Sequence, residues 1–168
     1  AHARVLLFSK QPEHKRILEQ FAQGNGYMAI AITEPEVGSN IRGMKSVSKK
    51  VNGGYELSGE KLYNARLESA SHIILLTQAP GHEGKPGKLN AFCIPKNYPG
   101  LNFTHLDTPV LTGNSFGGFS FDKVFVPESF RIGNDGDGGK IFRQHFTYWR
   151  LMQTAAALGT AKRALEMA

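Results

Sequence analysis

Ala31-Ile-Thr-Glu-Pro-Glu-Val-Gly-Ser-Asn40 decides how the rest of the chain is read. It continues an apolar run, Met28-Ala-Ile-Ala-Ile32, that reads as a buried strand. A threonine, a proline and a glycine then follow in quick succession. Pro35 fixes φ, and Gly38 can take backbone angles closed to other residues. Such a turn can aim backbone N–H groups and the hydroxyls of Thr33 and Ser39 at one point. Fixed donors of that kind suit a flat heteroaromatic ring with carbonyl acceptors, or a phosphate.

Upstream, Pro12 to Gln23 is expected to be helical. Proline stands near its start, Ile17, Leu18, Phe21 and Ala22 form one apolar stripe, and Gly24 stops it. Downstream the pattern turns to strands, expected near 28–33, 43–51, 54–58, 71–78, 89–95, 101–106 and 118–126, with Asn52-Gly53 as the clearest hairpin turn. The stretch from Ala79 to Lys88, rich in Pro, Gly and charge, reads as a flexible loop. Gly133 to Gly139 resembles half a calcium loop without the closing Glu, and reads better as a turn into the last helix. From about Lys140 the chain is expected to be helical to its end. No Gly, Asn or Pro stops that helix before Ala168, and Ala155, Ala156 and Gly159 offer a small-residue face for close helix contact. The expected fold class is mainly β: a small β-barrel or sandwich of about seven strands, preceded by a short helix and followed by a long C-terminal helix.

Bulk properties narrow the function classes. A chain of 168 residues is one domain by length, with an ordinary 40% hydrophobic and 20% charged composition. No apolar run reaches membrane-spanning length and no signal-peptide pattern opens the chain, so neither membrane insertion nor secretion is expected. A single cysteine excludes an internal disulfide; Cys93 lies in Leu89-Asn-Ala-Phe-Cys-Ile94 and reads as a packed core thiol. The expected compartment is cytoplasmic, or an organellar matrix in a eukaryote. The net charge of +6 brings nucleic acid into consideration. The densest basic run, Arg42 to Lys50, lacks interleaved aromatics and any nucleic-acid motif, so nucleic acid is set aside. A solvated face, or attraction for an anionic substrate, fits better. The six histidines show no metal spacing, and no metal site is expected. Gly113-Asn-Ser-Phe-Gly-Gly118 is neither a P-loop nor a dinucleotide fingerprint, and Asn102-Phe-Thr104 is a glycosylation triplet by chance.

Thirty residues after the opening stretch comes Gly59-Glu-Lys-Leu-Tyr-Asn-Ala65, following Val51-Asn-Gly-Gly-Tyr55. Together, in this order and spacing, the two segments resemble the middle domain of the acyl-CoA dehydrogenase family. There a T-E-P-x-x-G-S segment and a G-x-K-x-W/Y segment wrap the isoalloxazine ring of FAD. Phe121-Asp-Lys-Val-Phe-Val-Pro127, Ile132-Gly133, and Arg150 with Ala155-Ala-Ala-Leu-Gly159 match later steps of the family pattern. Leu6-Leu7-Phe8 and Glu13-His-Lys-Arg-Ile-Leu18 match the helices before it. The resemblance implies a segment of a larger polypeptide: residues 1–27 ending an N-terminal helical domain, 28–132 a flavin-binding middle β-domain, and 133–168 starting a C-terminal helical domain.

It also implies a reaction, α,β-dehydrogenation of an acyl thioester carried by CoA or a carrier protein. The resemblance further implies an electron-transfer flavoprotein or oxygen as acceptor and assembly as a homo-oligomer. A non-catalytic binding module for flavin or carrier protein, and an acyl-thioester oxidase, are the rival readings. The resemblance assigns backbone groups of Ala31 and Ile32 and the Thr33 hydroxyl to the ring's pyrimidine edge. It assigns Ser39 to the FAD pyrophosphate and the pantetheine path, Tyr63 to a ring face, and Arg150 to the neighbourhood of CoA and flavin. Three departures stand out. Ala65 replaces a Thr or Ser, keeping a backbone donor and losing a hydroxyl. Gly113 to Gly118 replaces L-G-x-R-G-S. Trp149 occupies the position, one before Arg150, where some members carry the catalytic glutamate. Other members carry it late in the C-terminal domain, so no catalytic base is expected in this chain, and Glu34 is assigned a structural place in the turn.

Overall fold

The computed structural model describes residues 2–107 and 115–168. A 3₁₀ segment, His2–Phe8, leads to helix α1, Pro12–Ala22. Seven strands follow: β1 Met28–Ala31, β2 Val47–Val51, β3 Gly54–Ala65, β4 His72–Gln78, β5 Leu89–Pro95, β6 Asn102–Leu106 and β7 Phe116–Pro127. Helix α2, Gly138–Met167, closes the described chain. The Gly113 to Gly118 departure lies partly outside the described residues.

The strands form one mixed sheet in the order β1-β4-β2-β3-β7-β6, with β5 on β4. β5 runs antiparallel along the whole of β4, while β1 pairs parallel with its first half and β2 meets it only through Val47 and Gln78. That single link lets the sheet curl into a half-barrel. The family of curled, mainly β folds expected from the sequence is the one observed.

Both faces of β4 and β5 are covered, which is why they read as unbroken apolar runs rather than alternating ones. Ile73, Leu75, Phe92 and Ile94 join the core inside the curl, against Tyr55, Leu57, Phe119 and Phe121. Ile74, Leu76, Ala91 and Cys93 face the other way, against Val5, Leu6, Ile17 and Ile141. The first helical segments and the start of α2 therefore pack on the outside of the sheet. The 133–139 loop is a knot of hydrogen bonds: Tyr55 donates to Asp135, Gly136 N donates to Asn90, and Asp137 accepts from Asn134. The two aspartates face different partners, which is a helix-entry turn and not a chelate.

Two strand boundaries differ from expectation by more than two residues. The strand expected at 43–51 begins only at Val47, because Ile41–Gly43 form a 3₁₀ turn and the N–H groups of Lys45 and Ser46 go to the Glu34 carboxylate instead of a neighbouring strand. The strand expected at 54–58 runs on to Ala65. Glycines carry it past two crowded points: a Cβ on Gly59 would meet Ser46 at 2.3 Å, and one on Gly118 would meet the Lys61 carbonyl at 2.7 Å.

Helix α2 is about 45 Å long, and its buried residues are Gly138, Ile141 and His145, all near its start. Beyond Arg150 every residue is exposed. Leu151, Leu158 and Leu165, spaced by sevens on one face, are 69%, 71% and 80% exposed. Such a stripe drives association in water. The 168-residue chain is expected to self-associate in sedimentation experiments. Leu158→Glu with Leu165→Glu should shift it to monomer; a wild-type chain that stays monomeric at high concentration would refute the expectation.

Candidate functional site

A groove of about 920 Å³ opens between the sheet and α2. Its sheet wall is made by two segments distant in sequence. Ile32 and Thr33 come just after β1; Tyr63, Asn64 and Ala65 come at the end of β3. The facing wall is one side of α2, with Phe146, Trp149, Met152, Gln153 and Ala156. Phe142, Phe146 and Trp149 form an aromatic ladder, with ring centroids 4.2 and 5.4 Å apart at its two steps.

A bulge shapes the sheet wall. Lys61 pairs with Phe119 and Asn64 with Gly117, so β3 holds one residue more than β7 over that interval. The extra residue turns Tyr63 outward, at φ 56 and 60% exposed, while Asn64 points in and donates to the Gly117 carbonyl. Arg66 also has φ 55. Two non-glycine residues in this region flank Asn64 and Ala65, each at a cost of order 1–3 kcal/mol. Strain of that kind persists only where the surroundings over-determine it.

What over-determines it lies directly behind the wall. Lys61 and Glu34 form an ion pair of 2.8 Å, with side chains 0% and 3% exposed. Lys61 Nζ also donates to the Ile32 carbonyl at 3.1 Å, and the Glu34 carboxylate accepts from the N–H groups of Lys45 and Ser46 at 2.6 and 3.0 Å. Leu62 N donates to the Thr33 carbonyl at 2.9 Å. Burial pushes the Glu34 carboxyl up, but its hydrogen bonds from Lys61, Ser46 and Lys45 outweigh that and hold it below its usual value. Burial pulls the Lys61 ammonium down to about 8 against the attraction of Glu34, so it remains charged at neutral pH.

The residues assigned by the family resemblance are dispersed more widely than the sequence implied. Ile32, Thr33, Tyr63 and Ala65 line the groove. The Ala31 side chain is fully buried in the core, and its backbone registers with Leu75 of β4. Ser39 is exposed on the turn, outside the groove lining. Arg150 is exposed too, its guanidinium 5.7 Å from the Phe146 ring centroid. The reading from sequence missed Asn64, Phe146 and Met152. The helix wall carried a signal, since Phe146, Trp149, Gln153 and Ala156 recur at helical spacing. Which face of α2 meets the sheet was not legible.

No carboxylate is among the described residues that line the groove. The nearby Glu34 is fully engaged behind the wall. Three-point anchoring of a carboxylate by an ammonium and two amides makes it an anion of low basicity, unsuited to proton abstraction.

A bulged strand and a strand–turn together face an aromatic helix across the groove. Residues 29–124 match the family described as acyl-CoA dehydrogenase, middle domain, and the chain belongs to the acyl-CoA dehydrogenase family. It is 30% identical over 165 residues to an acyl-CoA dehydrogenase of Bacillus subtilis, covering 98% of this chain and 43% of that protein. It is 32% identical over 152 residues to L-prolyl-(peptidyl-carrier protein) dehydrogenase of a Serratia species, covering 90% of this chain and 39% of that one. The solved FAD complex of PigA superimposes with a TM-score of 0.76 at 31% identity, over 84% of this chain and 37% of PigA. The chain thus spans about two fifths of the length of these relatives.

The buried pair dominates the stability of this region. Glu34→Ala leaves an uncompensated buried ammonium and should destabilise the chain by about 3–5 kcal/mol in urea unfolding. Lys61→Met should cost less, since Glu34 keeps two amide donors. The acid side has a definite sign. The folded pKa of Glu34 is lowered, so its contribution is present above the unfolded carboxylate value, about 4.3, and is lost as pH falls through the folded value. Between pH 6 and pH 3 the wild type should lose more stability than Glu34→Gln. Equal losses would show that Glu34 does not titrate with folding.

Proposed function

We propose that this chain supplies the flavin-facing wall of an FAD-dependent acyl-thioester dehydrogenase and is incomplete for catalysis by itself. The observation that carries the reading is the groove itself, in which Ile32–Thr33 and Tyr63–Ala65 converge opposite an aromatic helix. A flavin ring needs hydrogen-bonding groups at an edge and apolar surface on its faces. The Thr33 hydroxyl and the backbone of the bulge serve the edge, and Tyr63, Phe146 and Trp149 are suited to the faces. The groove volume falls within the range of cofactor pockets. Ala65 can offer only its backbone there. One lost hydrogen bond is worth about 1–3 kcal/mol at most, which alters affinity without abolishing it.

Bound FAD would supply the hydride acceptor, and the chain's own residues would bind it, orient it and exclude water. Ser39 and Arg150 stand outside the groove, and the reading gives them the anionic parts of a ligand that would extend beyond it. The substrate class, an acyl thioester on CoA or a carrier protein, is supported by the relatives, one named for CoA esters and one for a carrier-bound prolyl group. An electron-transfer flavoprotein or oxygen would serve as acceptor, and the exposed face of α2 supports assembly into a homo-oligomer. The β-domain is assigned to residues 28–132, between the end of one helical domain and the start of another at 133. No helix among the described residues is long and apolar enough to cross a membrane.

Purified gene product carrying this chain should be yellow and take up FAD stoichiometrically; a colourless product that binds no flavin in titration refutes the reading. The 168-residue chain alone should bind FAD far more weakly, because much of its groove is open to water. Loaded with saturating FAD and mixed anaerobically with butyryl-, octanoyl- or palmitoyl-CoA, the isolated chain should leave the flavin oxidised. None of the described residues that line the groove is a carboxylate, and a positioned base is worth roughly 10²–10⁴ in rate. Bleaching that disappears in Glu34→Gln would instead identify Glu34 as the base.

A further inference from the structure

We propose that the buried Glu34–Lys61 pair is the positioning device of the groove, fixing the Ile32–Thr33 edge against the Leu62–Ala65 bulge and so setting how tightly and in what orientation the flavin ring is held. The proposal rests on the flavin reading above.

Neither side chain lines the groove, yet each is bonded next to residues that do. Lys61 immediately precedes the bulge and reaches across to the Ile32 carbonyl. Glu34 immediately follows Thr33, and its backbone closes a two-bond loop with Val37 that holds the turn. The Leu62-to-Thr33 amide bond lies between them. The two halves of the sheet wall are therefore joined at three points: the ion pair, the ammonium–carbonyl bond and the amide bond. A second tie runs from the carboxylate to Lys45 and Ser46, fixing the strand beside them.

Stability alone does not account for charges in this place. A buried ion pair is often no more stabilising than well-packed apolar residues of the same volume. What apolar residues lack is direction. An ammonium and a carboxylate with fixed partners hold two backbone segments in one relative orientation, and a planar ligand needs that orientation at its edge.

The experiment uses the flavin-binding gene product that carries this chain, with Lys61→Met and the double variant Glu34→Gln/Lys61→Met. The single variant strands a buried carboxylate. The double variant removes both charges. Its introduced side-chain amide has one acceptor oxygen, so it keeps one of the Lys45 and Ser46 N–H bonds, which in Glu34 go to different oxygens, and no ammonium donates to the Ile32 carbonyl. The double variant should recover much of the melting temperature lost in Lys61→Met, while its FAD dissociation constant stays raised by about tenfold or more and its visible flavin band stays shifted. A folded double variant with wild-type affinity and band shape overturns the proposal and leaves the flavin reading intact. A wild type that binds no flavin overturns both. Should the double variant fail to fold, the wild type decides by itself. Burial lowers the Lys61 ammonium to about 8 against the pull of Glu34, the charged group that acts on it. Affinity for FAD should therefore fall by about tenfold between pH 7 and pH 9.5, and a flat profile overturns the proposal.

Discussion

One buried ion pair ties together the segments that form the sheet wall of the groove. Glu34 and Lys61 are 27 residues apart, and the bond between them joins a turn, a bulged strand and the start of a third strand. Removing a carboxylate and an ammonium from water costs several kcal/mol per ion. The fold offsets that cost with a dense set of partners: two amides and an ammonium on the carboxylate, a carboxylate and a carbonyl on the ammonium. The late start of β2 follows from satisfying the Glu34 carboxylate, because the N–H groups of Lys45 and Ser46 turn to it.

The remainder of the sheet serves as a rigid mount for this arrangement. β4 and β5 have apolar side chains on both faces, one set filling the curl and the other receiving the helical segments. A doubly covered strand pair leaves little freedom for the edges it carries. β1 ends beside the groove because its register with β4 is fixed over four residues, and α2 crosses nearby because Ile141 and His145 are anchored on the outer face. Beyond that anchor the helix projects with its leucine stripe exposed, presenting a surface to whatever packs on it.

The groove lies between strand ends and one side of a helix. Its walls combine aromatic, aliphatic and amide side chains with His2, His145 and Arg66, none of the described lining residues is a carboxylate, and two residues with positive φ flank Asn64 and Ala65. The relatives that carry this domain are more than twice as long as the chain.

The sequence by itself determined the helix at Pro12, the turn after β1, the hairpin at Asn52-Gly53 and the doubly apolar strands, because each rests on local chemistry: a proline's fixed φ, a glycine's freedom, or a run of side chains with one solubility. It also carried the family pattern, since Thr33, Glu34, Lys61 and Tyr63 keep their spacing. Tertiary structure decided the rest. No local signal shows that Glu34 and Lys61 meet, since an isolated Glu and Lys read as surface charges until both are found fully buried. Nor does the sequence reveal that β3 bulges before Tyr63, since the extra residue exists only relative to β7. Ser39 and Arg150 share a motif with groove residues, yet stand outside it. Proximity in sequence sets which residues can act together, but the pairing of distant strands sets which of them face the same space.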